Sequence, residues 1–260
     1  MFARGRQHRS FAHGIHPREA KDDTKDLPIR QFPFAPVMII PLQQHIGKPA
    51  LPVVREGQEV ARGQLIAEPD GVLSVAMHAS VSGIVQRIGL APGANGRMTP
   101  AVFLKPFPGS SQEVGEGVPC DPVTASPEEI LLAIQQAGIV GLGGAAFPTH
   151  VKLKAPAGVE IDTLIINGVE CEPYLTTDHR VMVEQQQDIF TGIRYLLRVT
   201  GAARAIIGVE ANKLDVVASL RASLPQDIPA SVEVVAVKYP QGAEKMLIRA
   251  LLGREVPSGG

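Results

Sequence analysis

The sequence predicts an α/β protein with a small all-β domain in front of it. Three observations carry this prediction. Valines and isoleucines separated by glycine turns over residues 45–90 read as short strands. From residue 163 onward, apolar runs alternate with segments of helical period, the pattern of a parallel sheet with helices packed on it. A stretch rich in Pro, Gly and Ser divides the two parts. At 260 residues and 45 % hydrophobic content, the chain can fill two cores.

The opening "MFARGRQHRS" is basic, with no apolar run before Asp22 and Asp23, so no secretory leader is expected. Its arginines read as a frayed, solvated terminus. "FAPVMIIPL", residues 34–42, is broken by prolines and far shorter than the roughly 20 residues that span a bilayer. No transmembrane helix is expected. "ALPVVREGQEVARGQLIAE" turns at Gly57 and Gly63, and "HASVSGIVQRI" supplies a further strand around Gly83. The pattern V-x-x-G-x-x-V-x-x-G-Q followed by A-S-x-S-G resembles the barrel-sandwich fold of biotinyl and lipoyl carrier domains. In carriers the modified lysine stands seven residues before the Ala-Ser turn. Val72 occupies that position here, and no lysine lies between Lys48 and Lys105, so no carried group is expected.

"PFPGSSQEVGEGVPCDPVTAS", residues 106–126, has no sustained period and reads as a linker. Ser126 then fits a helix N-cap, with Pro127 at the first position and Glu129 completing a capping box. Ile130, Ile134 and Ala137 share one face of that helix, and Gly138 ends it. Further on, "DTLIING" reads as a strand, residues 178–199 as a helix, "RAIIGVE" as a strand and "LDVVASLRASL" as a helix. "VEVVAVK" and "GAEKMLIRALLG" repeat the unit, with Gly253 as the stop. The expected division is an N-terminal extension over 1–30, the β domain over 31–108, a linker over 109–126 and the α/β domain over 127–260. In an open parallel sheet, ligands bind beyond the carboxyl ends of the strands. The loops there are "NGVECEP", "EAN" and "YPQGAE", and each carries an acidic residue.

Twenty-five Lys and Arg against 26 Asp and Glu give a net charge of −1, so no nucleic-acid partner is expected. Cys120 and Cys171 stand far apart, which excludes a disulfide framework or a zinc or iron–sulfur site built from them, and fits a reducing, cytosolic compartment.

The loop "GLGGAAFPTHVK" satisfies G-x-G-x-x-G/A through Gly141, Gly143 and Ala146, yet a helix precedes it where the dinucleotide fingerprint needs a strand. Two readings stay open from the loop alone. A backbone without bulky side chains lets a flat ring or a phosphate approach its N–H groups, with Phe147 to stack and Lys152 as a cation. Alternatively, the glycines serve a tight turn where helix and sheet pack. "INGVECEPYLTTDHR" adds Asn167 at a strand end, and Glu170 and Glu172 just beyond it. With the glycine loop, these favour a ligand site. Cys171 between them reads as a small packing residue.

Five segments, "HGIHPREAKDDT", "PLQQHIGKPALPVV", "GIVGLGGAAFPTHVKL", "TLIINGVECEPYLTTDHRVM" and "KYPQGAEKMLIRALLGREVPSGG", stand in the order and spacing of the RnfC family. On them the chain resembles the RnfC component of the ion-translocating NAD:ferredoxin oxidoreductase, over nearly its whole length. Its second half is similar to the NADH-oxidising flavoprotein subunit of respiratory complex I, whose loop reads G-R-G-G-A-G-F-P-T-G-x-K. The resemblance implies a Rossmann-like domain with FMN contacts from Gly141, Gly143, Gly144, Lys152 and Asn167, and with Glu170 and Gly242 lining the flavin site. It implies NADH contacts from Phe147, Glu172 and Glu244. Leu142 stands where complex I has an arginine, Val169 where it has an aspartate, and "PQGAEK" where it has C-G-E-E-T. Arg18 replaces the second proline of the family's H-P-P-E.

The family continues past "EVPSG" into a region whose cysteines hold [4Fe–4S] clusters, so the chain is expected to be an N-terminal fragment. The implied partners are integral-membrane and ferredoxin-like subunits of the electron transport complex, with ferredoxin or flavodoxin as redox partner. The implied place is the cytoplasmic face of the bacterial inner membrane, held peripherally. Two further readings are a related cobalamin reductase of microcompartments and a flavin-free scaffold subunit, like that of the sodium-pumping quinone reductase.

Overall fold

The computed structural model describes residues 8–93, 96–115, 117, 120–156 and 158–257. The chain forms two compact units, Phe32–Gly158 and a second made of Met1–Gln31 with Val159–Gly260.

Among its described residues the first unit holds seven strands: β1 (Met38–Pro41), β2 (Leu51–Pro52), β3 (Glu59–Val60), β4 (Leu65–Glu68), β5 (Met77–His78), β6 (Gly83–Pro92) and β7 (Met98–Pro106). They make two antiparallel sheets, ordered β1-β7-β6-β3 and β2-β4-β5. Strand alternation turns Ile66, Val85, Val102 and Leu104 inward, and Leu42 and Val81 join them from just outside the strands, each with no exposed surface. Gly83 is obligatory where β6 meets β7, because a Cβ there would lie 2.3 Å from the Lys105 carbonyl oxygen. Val72 is exposed on the turn between β4 and β5.

Helix α1 (Pro127–Gln136) begins with the expected capping box. The Glu129 N–H donates to Ser126 Oγ, and the Ser126 N–H donates to Glu129 Oε2 at 2.8 Å. It stops at Gly138, whose φ of +74° and 2.5 Å approach to the Ala76 carbonyl exclude any side chain. The short α2 (Thr149–Lys152) follows the glycine loop. The expected division places residues 127–158 in the α/β domain, whereas in the structure they pack with the β unit. Gln135 explains this, since its Nε2 donates to the Gly71 and Ser74 carbonyls, and His150 Nε2 bonds Val72 O at 2.8 Å.

The second unit carries a parallel sheet of β8 (Thr163–Gly168), β9 (Arg204–Glu210) and β10 (Ala230–Val235), ordered β10-β9-β8. Its helices are α3 (Thr177–Glu184), α4 (Gln186–Thr200), α5 (Leu214–Ser223) and α6 (Glu244–Leu252). Adjacent residues of β9 face opposite ways. Ile207 joins Phe190, Ile193, Val216 and Leu220 on one side, and Ile206 joins Leu247 and Leu251 on the other. The sheet is therefore covered on both faces, as its continuous apolar strands require.

Three local expectations change. The helix expected over 178–199 is two helices, broken at Gln185 (φ −125°, ψ 39°). Met182 and Phe190 reach the same core from either side of the break, so the apolar period runs through it unmarked. The strand expected over "VEVVAVK" ends at Val235. Finally, Arg9 is not frayed. It forms a parallel bridge with Val235, pairs with Glu233 at 3.2 Å and donates to Leu251 O at 2.7 Å. Arg4 and Arg6, read with it as a solvated terminus, lie outside the described residues.

Candidate functional site

In the β unit, the glycine-rich loop is closed by its own backbone. Val140 bridges Pro148, the Gly141 N–H donates to Phe147 O at 3.0 Å, and the Ala146 N–H donates to Gly141 O at 3.1 Å. Gly141, Gly143 and Gly144 are exposed, and Phe147 is partly so. A Cβ built on Gly143 or Gly144 would meet nothing within 4 Å, and on Gly141 only Phe147 O at 3.8 Å. None of the three has φ in the left-handed region. Neither packing inside the protein nor backbone conformation accounts for these glycines. Small residues there leave room for something outside the chain. Lys152 stands exposed at the end of α2, and Leu142 projects into solvent with 86 % of its surface free.

In the α/β unit, the loops beyond the strand ends are tied together by Asn167. Its Nδ2 donates to Gly242 O at 2.9 Å, and its Oδ1 accepts the Val169 N–H at 3.1 Å. This bond links the loop after β8 to the loop after β10. Gly242 sits so close that a Cβ would lie 2.8 Å from Val169 O and 3.4 Å from Cys171 Sγ. Burial, first of all, pushes the Cys171 thiol pKa up. The Gly242 N–H opposes this, and the Glu172 and Glu210 carboxylates add to it, so the thiol is held protonated and suits packing.

Glu170 is buried and Glu172 is exposed, although residues two apart in an extended chain would share a face, because the chain has left the strand at Gly168 and turns here. Glu170 Oε1 accepts the Asp178 N–H at 2.8 Å, at the start of α3, while Oε2 has no hydrogen-bond partner. Glu244 is exposed on the first turn of α6. Val169 belongs to the core with Leu247 and Leu251, so no polar group is offered at this position. The structure thus brings Asn167, Glu170 and Gly242 into one loop cluster. Gly141, Gly143, Gly144, Phe147 and Lys152 belong to the β unit.

Sequence reasoning missed several polar groups of this cluster. Gln241, beside Gly242, is fully buried with both amide atoms unpartnered. Glu210 and Lys213 form a buried pair at 2.7 Å beyond β9. Lys21 and Lys238, both buried, connect residues 8–31 to the strand ends. Two clefts open there, one of about 170 Å³ lined by His16, Glu19, Cys171 and Lys238, the other of about 420 Å³ lined by Arg18, Lys21, His179 and Lys213. The available signals were "HPRE" and the polar residues that directly follow each strand. Among the described residues, no helix is long and apolar enough to cross a membrane.

Comparison with known proteins adds two family matches. Residues 9–106 match the RnfC barrel sandwich hybrid domain, and residues 134–260 match the Nuo51 FMN-binding domain. The chain is 41 % identical over 254 residues to the C subunit of the proton-translocating ferredoxin:NAD(+) oxidoreductase complex of Clostridium ljungdahlii, covering 97 % of this chain and 55 % of that protein. It is 39 % identical to the Na(+)-translocating counterpart of Acetobacterium woodii, covering 97 % and 57 %. It is also 39 % identical to the C subunit of the ion-translocating oxidoreductase complex of Rhodobacter capsulatus, covering 96 % and 48 %. The chain spans about half the length of these relatives.

Proposed function

The chain belongs to the RnfC family, and on that premise we propose that it is the FMN- and NADH-binding part of an electron-transport subunit. The protein it belongs to would exchange electrons between NADH and ferredoxin in a complex that couples this exchange to ion translocation. Such a subunit would lie peripherally on the cytoplasmic face of the bacterial inner membrane. Its partners would be integral-membrane and ferredoxin-like subunits, with ferredoxin or flavodoxin as redox partner. [4Fe–4S] clusters would be held outside residues 1–260.

FMN, when bound, supplies the chemistry, namely hydride exchange with NADH and release of electrons one at a time. The chain's residues bind and orient. Gly141, Gly143 and Gly144 would admit the ring or phosphate to backbone N–H groups, and Lys152 would offer a charge-assisted contact to an anionic group. Asn167, Glu170 and Gly242 would meet the flavin from the strand-end loops. Phe147 would stack on NADH, with Glu172 and Glu244 as hydrogen-bond acceptors.

The observation that carries this reading is the glycine loop, where a Cβ on Gly143 or Gly144 would meet no atom of the described residues within 4 Å. The orphaned amide of Gln241 fits a polar ligand beside Gly242. Flavin-fluorescence titration of full-length protein tests it. Lys152→Ala should cost about 1.5–3 kcal/mol, or roughly tenfold to a hundredfold in FMN affinity. Wild-type protein that takes no FMN would defeat the assignment and favour a scaffold.

A further inference from the structure

Residues 8–31 are a strap fastened to the strand-end loops at several points. Ile15 exchanges backbone hydrogen bonds with Tyr239, and His16 Nδ1 lies 3.1 Å from Val237 O. Lys238 fixes the strap's beginning, its ammonium reaching the Phe11 and His13 carbonyls. Further along, the strap grips the loop after β8. The Tyr174 N–H donates to Glu19 O at 2.9 Å, and the Thr176 and Thr24 hydroxyls meet at 2.9 Å.

The centre of this grip is Lys21, only 7 % exposed, although lysine is rarely buried without a purpose. Its Nζ donates to Glu170 O at 2.6 Å and to Leu175 O at 2.7 Å, and lies 3.7 Å from Glu170 Oε2. The two carbonyls flank the segment that carries Cys171 and Glu172, so one ammonium closes the loop at both ends. Glu170 in turn holds the first turn of α3 through the Asp178 N–H. Removing Lys21 would leave a buried carboxylate without its ion-pair partner, the costly half of a broken buried pair.

We propose that Lys21 is a positioning residue, stapling the loop over residues 170–176 so that Glu170 and Glu172 are presented to the ligand. The proposal rests on the assignment of those two glutamates to the FMN and NADH site. Lys21 acts through the loop and touches no cofactor. This gives the "HPREAK" stretch a role that the binding residues alone leave open.

The test uses full-length Lys21→Met and the doubly neutral Lys21→Met/Glu170→Gln, which removes the stranded carboxylate and folds even if the single variant does not. Amide hydrogen exchange of flavin-free protein is read beside FMN titration. In Lys21→Met, exchange should quicken over residues 171–178 while β9 stays protected, and FMN affinity should fall about tenfold, the equivalent of one charge-assisted contact. The double variant should keep β9 protected as in wild type, and it is read by exchange alone because Glu170 is itself assigned to the flavin site. Unchanged exchange over 171–178 overturns the proposal. So does exchange that quickens equally through β9 with no recovery of protection in the double variant, since that marks a structural role only. If wild-type protein binds no FMN, the site assignment falls, and the exchange result decides the staple by itself.

Discussion

Replacing Gly143 by Val and, separately, Gly242 by Ala tests whether the glycines serve a ligand or the fold. At Gly143 a new Cβ meets no atom within 4 Å, and φ is not in the left-handed region, so valine fits the flavin-free protein. Substitutions at such surface positions fall within about 0.5 kcal/mol, or roughly 2 °C in a protein of this size. At Gly242 the same atom would lie 2.8 Å from the Val169 carbonyl, inside the loop that Asn167 ties down. Overpacking of this kind costs about 1–3 kcal/mol, a fall in Tm of roughly 2–12 °C. FMN affinity should drop at least about tenfold for Gly143→Val, because its branched carbons take the space in which the ligand approaches the backbone. Thermal unfolding of the flavin-free variants beside fluorescence titration with FMN reads both quantities. A Gly143→Val protein that melts as early as Gly242→Ala, and binds FMN as wild type does, would refute the reasoning.

The buried Glu210–Lys213 pair should be the most sensitive charge in the α/β unit. Lys213→Met is expected to destabilise by about 3–5 kcal/mol in urea unfolding, and Lys213→Met/Glu210→Met to recover most of it. In the β unit, His45 is a pH sensor of stability. Its Nε2 must donate, because its partner is the Lys48 carbonyl, and burial above all, then His150, holds its pKa below the ordinary value despite that bond. With the folded pKa depressed, stability is complete above the unfolded value of about 6.5 and is lost as pH falls from there towards the folded value. Thermal melts between pH 7.5 and roughly 5 should show the loss, and His45→Gln should flatten it.

Much of this protein is written in short-range pattern. Ser126 and Glu129 lie three residues apart, and the capping box they form needs no distant partner. Alternation buries Leu104 and Val102, and the glycine at 138 ends a helix through its own φ. The five segments of the RnfC resemblance are likewise read along the chain, as was the glycine loop. What stayed hidden depends on residues far apart. Lys21 and Glu170 are 149 positions apart, and Arg9 and Leu251 242 apart. In the sequence, each such lysine or arginine reads as a solvated surface charge, and the first thirty residues read as an extension.

The sequence by itself determined the parallel sheet and its helices, the β domain before it and the small-residue loop, because these follow from periodicity, capping and turn chemistry within a few residues. Only the tertiary structure decided that residues 8–31 return to the strand ends, that α1 and the glycine loop pack with the β unit, and that Lys21 meets Glu170. Those outcomes turn on which carbonyls and carboxylates lose water together when distant elements meet, and a buried cation then goes where paired oxygens offset its desolvation.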